Sequence, residues 1–366
     1  MMNSATPTAE LGLRRAQVRL SLILLTVMAA TMLAVGVLSR SRWLEARLVA
    51  LEVDRFRRNI EHCMNRGLYL EFEDRLLLRE IPRADYSQGG VFFLGTSALK
   101  WALQTWEITP DQRPYVADYG IGASDHRQQL QFIRFLAEQR GFLQAGARTH
   151  LVLGAYWTMG MRADPESFFG PLWERYGLYS YDPDRGIQSA GGPRWLAWLR
   201  EERARTASFL AGLANRTARL AATSAGLRLT PTERIDAAKA RERARRQRIE
   251  GWQEPLAEQM AALESQIRYV RRHQAQVTVV LVPTRAAYRD QPLPRVYRQE
   301  VTRLCQRLAV PLVDLSELLR EDEFWDMNHS NYAGIRKTHT VLMAMASEHL
   351  RQVGLWPKRW SRYAAR

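Results

Sequence analysis

The hydrophobic positions fall into one long block and a series of short ones. From Leu20 to Leu38 the chain reads LSLILLTVMAATMLAVGVL, 19 residues without a charge. At about 1.5 Å rise per residue, a helix of that length just crosses the hydrocarbon core of a bilayer. Arg14, Arg15 and Arg19 precede it, and Arg40, Arg42 and Arg47 follow it, so flanking charge leaves the orientation open. A cleaved signal peptide has a shorter apolar core and a small-residue cleavage site. The Ser-Arg-Ser-Arg-Trp that follows this run is a poor one. The expectation is therefore an uncleaved transmembrane anchor over 20–38, behind a short tail at 1–19.

Residues 39–85 form a juxtamembrane segment with helical periodicity. Leu44, Leu48, Leu51 and Val53 recur among Arg and Glu, and no proline intervenes before Pro82. Such a helix can pack on the following domain, or lie as a stalk near the membrane or a membrane partner.

From residue 86 to the end the pattern changes. Short apolar runs at Val91–Leu94, Tyr115–Ile121, His150–Leu153, Val277–Val282 and Val310–Val313 alternate with helical segments such as Arg127–Gln139, Pro294–Leu308 and Gly334–Leu350. Fully apolar strands alternating with helices predict a parallel sheet covered on both faces. Ligands of such sheets bind beyond the C-terminal ends of the strands, so chemistry is sought directly after those runs. Residues from about 160 to 275 show no convincing strand. They pass from aromatic, Gly/Pro-rich sequence (Phe168-Phe169-Gly170-Pro171) into a basic helical segment, Arg234–Arg272. This stretch reads as a helical insertion between the third and fourth strands. Its basic run is either a solvated face or a surface for an anionic polymer or a membrane.

Composition sharpens this picture in two ways. The net charge is +15, and only four of the 53 basic residues are lysine. Excess positive charge favours anionic partners, but no basic patch is interleaved with aromatics in the RNA-binding manner, so nucleic acid is not expected as a partner. The two cysteines, Cys63 and Cys305, form neither a disulfide framework nor a zinc-spaced cluster. They read as unrelated buried thiols, with one Cys63–Cys305 bridge as the alternative. No phosphate-binding or dinucleotide glycine pattern is present, and no cofactor or metal is expected.

Two segments carry candidate chemistry. The first strand ends in Gly95-Thr96-Ser97-Ala98 before a helical pattern, placing Ser97 at a strand-to-helix turn. There its hydroxyl can face the open rim, beside backbone N–H groups that can hold an oxyanion. Near the other end, Trp325-Asp326-Met327-Asn328-His329-Ser330-Asn331 follows the last strand and precedes the last helix. An Asp three residues before a His can bind imidazole Nδ1 and leave Nε2 free to take a serine proton. In a parallel sheet both segments fall on one rim.

These two blocks resemble the end motifs of the SGNH (GDSL-type) hydrolases. The resemblance spans roughly 88–158 and 277–350. It implies a flavodoxin-like α/β three-layer sandwich with a central parallel sheet, and assigns Ser97 as nucleophile with Asp326 and His329 completing the triad. The family's second block places a glycine N–H in the oxyanion hole. Here Gly120-Ile121-Gly122-Ala123 occupies that position; Gly122 is the expected donor, with Gly120 and Ala123 as alternatives. The third block usually supplies an asparagine, but this chain has Gly154-Ala155-Tyr156-Trp157. Tyr156 and Asn328 are therefore the candidate oxyanion or substrate-binding side chains. Arg285, after the fourth strand, either contacts an anionic substrate or forms a structural ion pair. Asp314 reads as a helix cap, and His126 and His150 as ordinary histidines.

The anchor, the aromatic third block and the insertion further resemble membrane-tethered SGNH proteins of cell-envelope polysaccharide O-acylation. That implies acyl transfer or ester hydrolysis, with O-acetyl as the expected group and an envelope polysaccharide or other acylated glycan as partner. It also implies a single-pass protein of the bacterial cytoplasmic membrane with a periplasmic catalytic domain, working beside a multi-pass membrane-bound O-acyltransferase. Two other functions fit the same residues: a deacylating esterase, and a non-catalytic glycan-binding or assembly component.

Overall fold

The computed structural model describes residues 7–41, 76–103, 114–161, 169–224, 236–246 and 251–356, and single residues at 47, 108 and 112. Most of the expected juxtamembrane segment, Cys63 included, lies outside the described residues.

Five parallel strands make the central sheet: β1 (Gly90–Leu94), β2 (Val116–Asp118), β3 (Thr149–Ala155), β6 (Gln276–Leu281) and β7 (Leu312–Asp314). Their spatial order is β2-β1-β3-β6-β7, the flavodoxin-like order expected of a doubly wound sheet. The chain steps from β1 to β2 on one side and then returns to β3 on the other. The crevice thus opens at the C-terminal ends of β1 and β3. Both of these strands are buried at every position, the signature of a sheet covered on two faces.

Two groups of helices flank the sheet. α2 (Ser97–Ala102) and α9 (Tyr332–Gln352) pack on β1 and on each other. α3 (His126–Arg140), α6 (Gln253–Arg272) and α8 (Pro292–Arg307) form the second group, with α6 against α3, β6 and α8. α3 is fixed at both ends. Asp125 and Gln128 close a capping box, and Gly141 takes the left-handed conformation (φ 68°) that ends a helix cheaply.

The expected insertion differs from the structure in two respects. Residues 179–189 form an antiparallel hairpin, β4 (Tyr179–Asp182) with β5 (Gly186–Ser189). The turn is held by Asp182 Oδ1, which accepts from the Asp184 and Arg185 N–H groups, and Gly186 sits at φ 79°. The hairpin signal is weak because each strand is only four residues long. At the other end, α6 is a core helix of the sandwich and not part of an added unit: Leu263, Ile267 and Val270 are fully buried. Between these parts lie α4 (Arg194–Ser224) and α5 (Ala237–Arg246).

α1 (Pro7–Arg40) runs for 34 residues. Within it Val18–Val35 has a mean hydropathy of 2.1, and among the described residues it is the one helix long and apolar enough to cross a membrane. Within that span the Thr26 and Thr31 hydroxyls donate back to Leu22 O and Val27 O at 2.8 Å, so neither needs a partner outside the helix.

Candidate active site

Local structure sets Ser97 at the rim. β1 stops at Leu94, Thr96 takes an extended N-cap conformation, and its hydroxyl accepts from Ala98 N, so α2 starts at Ser97. The turn is tight because Leu99 folds back over two glycines. A Cβ on Gly154 would lie 2.6 Å from Leu99 Cδ2, and one on Gly95 2.8 Å from Leu99 Cβ. Only hydrogen at these positions lets α2 sit down on β1 and β3 with Leu99 fully buried.

The loop after β7 is closed by its own backbone. Phe324 and Ser330 form a bridge. Trp325 N donates to His329 O and Asn331 N to Glu323 O, both at 2.8 Å. Asn331 caps α9 by accepting from Gly334 N, and a Cβ on Gly334 would strike Glu323 O at 2.6 Å. The loop thereby presents Asp326, Asn328 and His329 from one compact turn.

The structure brings the two segments together. His329 Nε2 lies 3.0 Å from Ser97 Oγ, and His329 Nδ1 lies 2.8 Å from Asp326 Oδ2. The other carboxylate oxygen, Asp326 Oδ1, accepts from the N–H groups of Asn328 and His329 at 2.8 and 2.7 Å. Burial alone would raise the Asp326 pKa. The hydrogen bond and charge of His329, together with the two N–H groups, outweigh burial and hold it below the usual carboxylate range. Trp101 covers the imidazole edge-on, with ring centres 6.5 Å apart.

Comparison by sequence finds no matching family and no matching curated protein. Among solved structures, the fold is similar to a protein described as an acylhydrolase from Bacteroides fragilis, at 13% identity and a TM-score of 0.36, covering 74% of this chain and 92% of that one. It is similar to a GDSL-like lipase from Bacteroides thetaiotaomicron at 11% identity and a TM-score of 0.35, covering 76% and 95%. The YxiM protein of Bacillus subtilis matches at 13% identity and a TM-score of 0.32, covering 73% of this chain and 57% of its own. Likeness at this level carries no chemistry, which rests on the side chains themselves.

The remaining candidates divide. In the turn after β2, Ile121 N donates to Gly95 O at 2.8 Å, tying this turn to the Ser97 turn. Gly120 N donates to Asp118 Oδ1, which removes Gly120 as an oxyanion donor. The N–H groups of Gly122, Ala123 and Ser97 have no partner among the described residues. Ala123 holds a positive φ of 53°. Tyr156, directly after β3, donates its hydroxyl to Asn328 Oδ1 at 2.9 Å. The third-block tyrosine and the Asp-His loop are therefore one connected unit.

Arg285 is placed away from substrate. Its side chain is 1% exposed, with Nε bonded to Glu321 Oε2 at 2.6 Å and one Nη to Asp326 O at 3.1 Å. It is the structural ion pair and not a substrate contact, because a guanidinium sealed off from water needs a fixed counter-ion. It also anchors the backbone of Asp326. Asp314 holds Ser316 N and Oγ and pairs with Arg298, so it shapes a turn.

His126 and His150 find partners only in the tertiary structure, Tyr297 and Thr278. Burial pushes their pKa values down to about 3 and about 4. Cys305 is a free, buried thiol whose pKa burial raises to about 11, far from a nucleophilic thiolate. No cluster of metal-ligating side chains occurs among the described residues.

Proposed function

We propose that this chain is a membrane-anchored, SGNH-type serine enzyme that transfers or hydrolyses acyl groups, acetyl first among them, on a cell-envelope polysaccharide. One observation carries the proposal: the continuous chain Ser97 Oγ–His329 Nε2–His329 Nδ1–Asp326 Oδ2, at 3.0 and 2.8 Å.

Its chemistry follows. His329 Nε2 takes the Ser97 proton as Oγ attacks the acyl carbonyl carbon. The N–H groups of Ser97 and Gly122 receive the developing oxyanion. The ester C–O bond breaks, and the imidazolium returns its proton to the leaving alkoxide. Asp326 stabilises the imidazolium throughout. The acyl-serine is then attacked by a sugar hydroxyl in a transferase, or by water in a deacylase. Proton, nucleophile and oxyanion are all served by this chain, so the steps call for no cofactor.

Placement of the domain outside the cytoplasm, with α1 as an uncleaved anchor, belongs to the same proposal. So does a multi-pass membrane O-acyltransferase that supplies acyl groups. Labelling by a fluorophosphonate tests the core of it. Wild-type protein should label at Ser97, while Ser97→Ala and His329→Ala should not. Absence of labelling and of ester cleavage in folded wild-type protein refutes the enzyme and leaves the glycan-binding function.

A further inference from the structure

α4 turns an apolar face to the outside. Trp195 is 64% exposed, Trp198 53%, and Leu199 and Leu210 46% each. Ala207, Ala211 and Ala214 are exposed as well, with Arg203 between them. Steps of three and four residues put these side chains on one broad side of a helix. The other side meets the protein: Ala204 and Arg205 are buried, and Glu202 neutralises Arg205 at 2.6 Å. The apolar side chains that a domain usually hides are thus the ones α4 shows. A contiguous apolar stripe on a surface marks a place where something docks.

The neighbour of this face indicates what covers it. α1 packs on α4, and α1 holds the one span among the described residues that is apolar enough to cross a membrane. The described side chains of α1 are exposed from Val18 to Ala34, and Val35 is partly covered. A bilayer that surrounds α1 therefore reaches α4.

Composition sets the depth. α4 carries six arginines against two glutamates, too much charge for the hydrocarbon core. At the headgroup level both parts of the helix are served. Tryptophan rings favour that depth, leucines reach the acyl boundary, and arginines meet lipid phosphates. Arg203, inside the apolar stripe, can lay its stem along that face and raise its guanidinium to the phosphates.

We propose that α4 is a membrane-docking helix that lies in the headgroup layer of the bilayer crossed by α1, with phospholipid as its ligand. This rests on the reading of α1 as an anchor. One span leaves a domain free to swivel. A second attachment fixes its tilt, and with it the direction in which the Ser97 rim faces.

The test uses the full-length chain in nanodiscs of phosphatidylcholine and phosphatidylglycerol, with no other membrane protein present. In a Cys63→Ser background, where buried Cys305 stays unlabelled, a fluorophore is attached through Trp198→Cys, Leu210→Cys, Val27→Cys or Arg303→Cys. Lipids carrying a nitroxide near the headgroup or deep in the acyl chain report its depth. Positions 198 and 210 should be quenched equally, and about twofold or more better by the shallow nitroxide than by the deep one, as for a helix lying in the interface. Position 27, inside the span, should show the reverse. Position 303, exposed on α8, should respond to neither. Trp195→Glu combined with Trp198→Glu should abolish quenching at position 210 and leave position 27 and the melting temperature unchanged, since both tryptophans lie outside the packed core. Deep quenching at 27 with none at 198 and 210 overturns the inference while the anchor stands, and assigns the face to a protein partner. No quenching at 27 overturns the anchor and the inference together. Quenching at 303 equal to that at 198 overturns the inference as well, because the domain then lies on lipid by any surface.

Discussion

Around Asp326 and His329 the backbone is tied at nearly every turn, by the Phe324–Ser330 bridge, the Asn331 cap and the Arg285 bond to Asp326 O. α5, whose Arg243 Nη1 lies 4.0 Å from Met327 Sδ in that loop, seats on α7 (Ala286–Arg289) with two buried alanines, Ala240 and Ala244, and a bond from Gln291 Nε2 to Ala244 O. The difference follows from what each part must hold in place. Proton transfer needs a donor and an acceptor fixed to about half an ångström, so the triad sits on the over-determined rim. α5 supplies no group to the Ser97–His329–Asp326 chain, so it can be an attachment with little core of its own. Local unfolding concentrates in segments of that second kind.

Ser97→Ala should have the largest effect. Ester cleavage should fall about 10⁴-fold or more, while the melting temperature stays within about 1 °C of wild type. A large drop in melting temperature would mean that Ser97 is structural. Arg285→Ala comes next. Releasing Asp326 O and unpairing Glu321 should lower kcat about tenfold to a hundredfold and slow fluorophosphonate labelling of Ser97 with it. An unchanged kcat would show that the loop holds Asp326 without the guanidinium.

Gly154→Ala should cost about 1–3 kcal/mol by overpacking, since its Cβ would meet Leu99 at 2.6 Å. Urea unfolding measures it, and coupling is checked by Leu99→Ala in the same chain, which should recover part of the loss. Ala240→Glu sharpens the contrast from the other side. It should undock α5, open a protease-sensitive site within 236–246, and change global stability by less than about 1 kcal/mol.

The smallest effect is in pH. His126 titrates near 3 in the folded chain against an ordinary 6.5, and His150 and His339 near 4, all because burial disfavours the charged form. The unfolded chain therefore takes up protons that the native chain refuses as pH falls below about 6.5, and stability declines through that window. In His126→Gln the fall in urea midpoint between pH 7 and 4.5 should be shallower than in wild type. An identical slope would place the loss on other groups.

β1, β3 and β6 were legible as strands because a strand buried on both faces needs apolar side chains at successive positions, which is a local signal; the edge strands β2 and β7, less buried and only three residues long, also showed as apolar runs. The Ser97 turn was legible for a similar reason: Gly95 ends the apolar run and a helical pattern starts within a few residues, while the Thr96 cap came only from the structure. The β4–β5 hairpin was not, since four-residue strands carry too little periodicity. Nor was the core role of α6, whose basic stretch upstream drew it into the insertion. Arg285 could be read either way from its position, and only Glu321, 36 residues on, chose the ion pair.

Sequence by itself thus determined the alternation of strands and helices, the apolar N-terminal run, and which side chains were able to do acyl chemistry, because burial pattern and turn chemistry act over a few residues. Tertiary structure alone decided which of them meet. Ser97 and His329 are 232 residues apart, Tyr156 and Asn328 172, and Arg243 and Met327 84. Contacts over such separations are set by how the sheet is wound and what packs on it, and no local propensity encodes them.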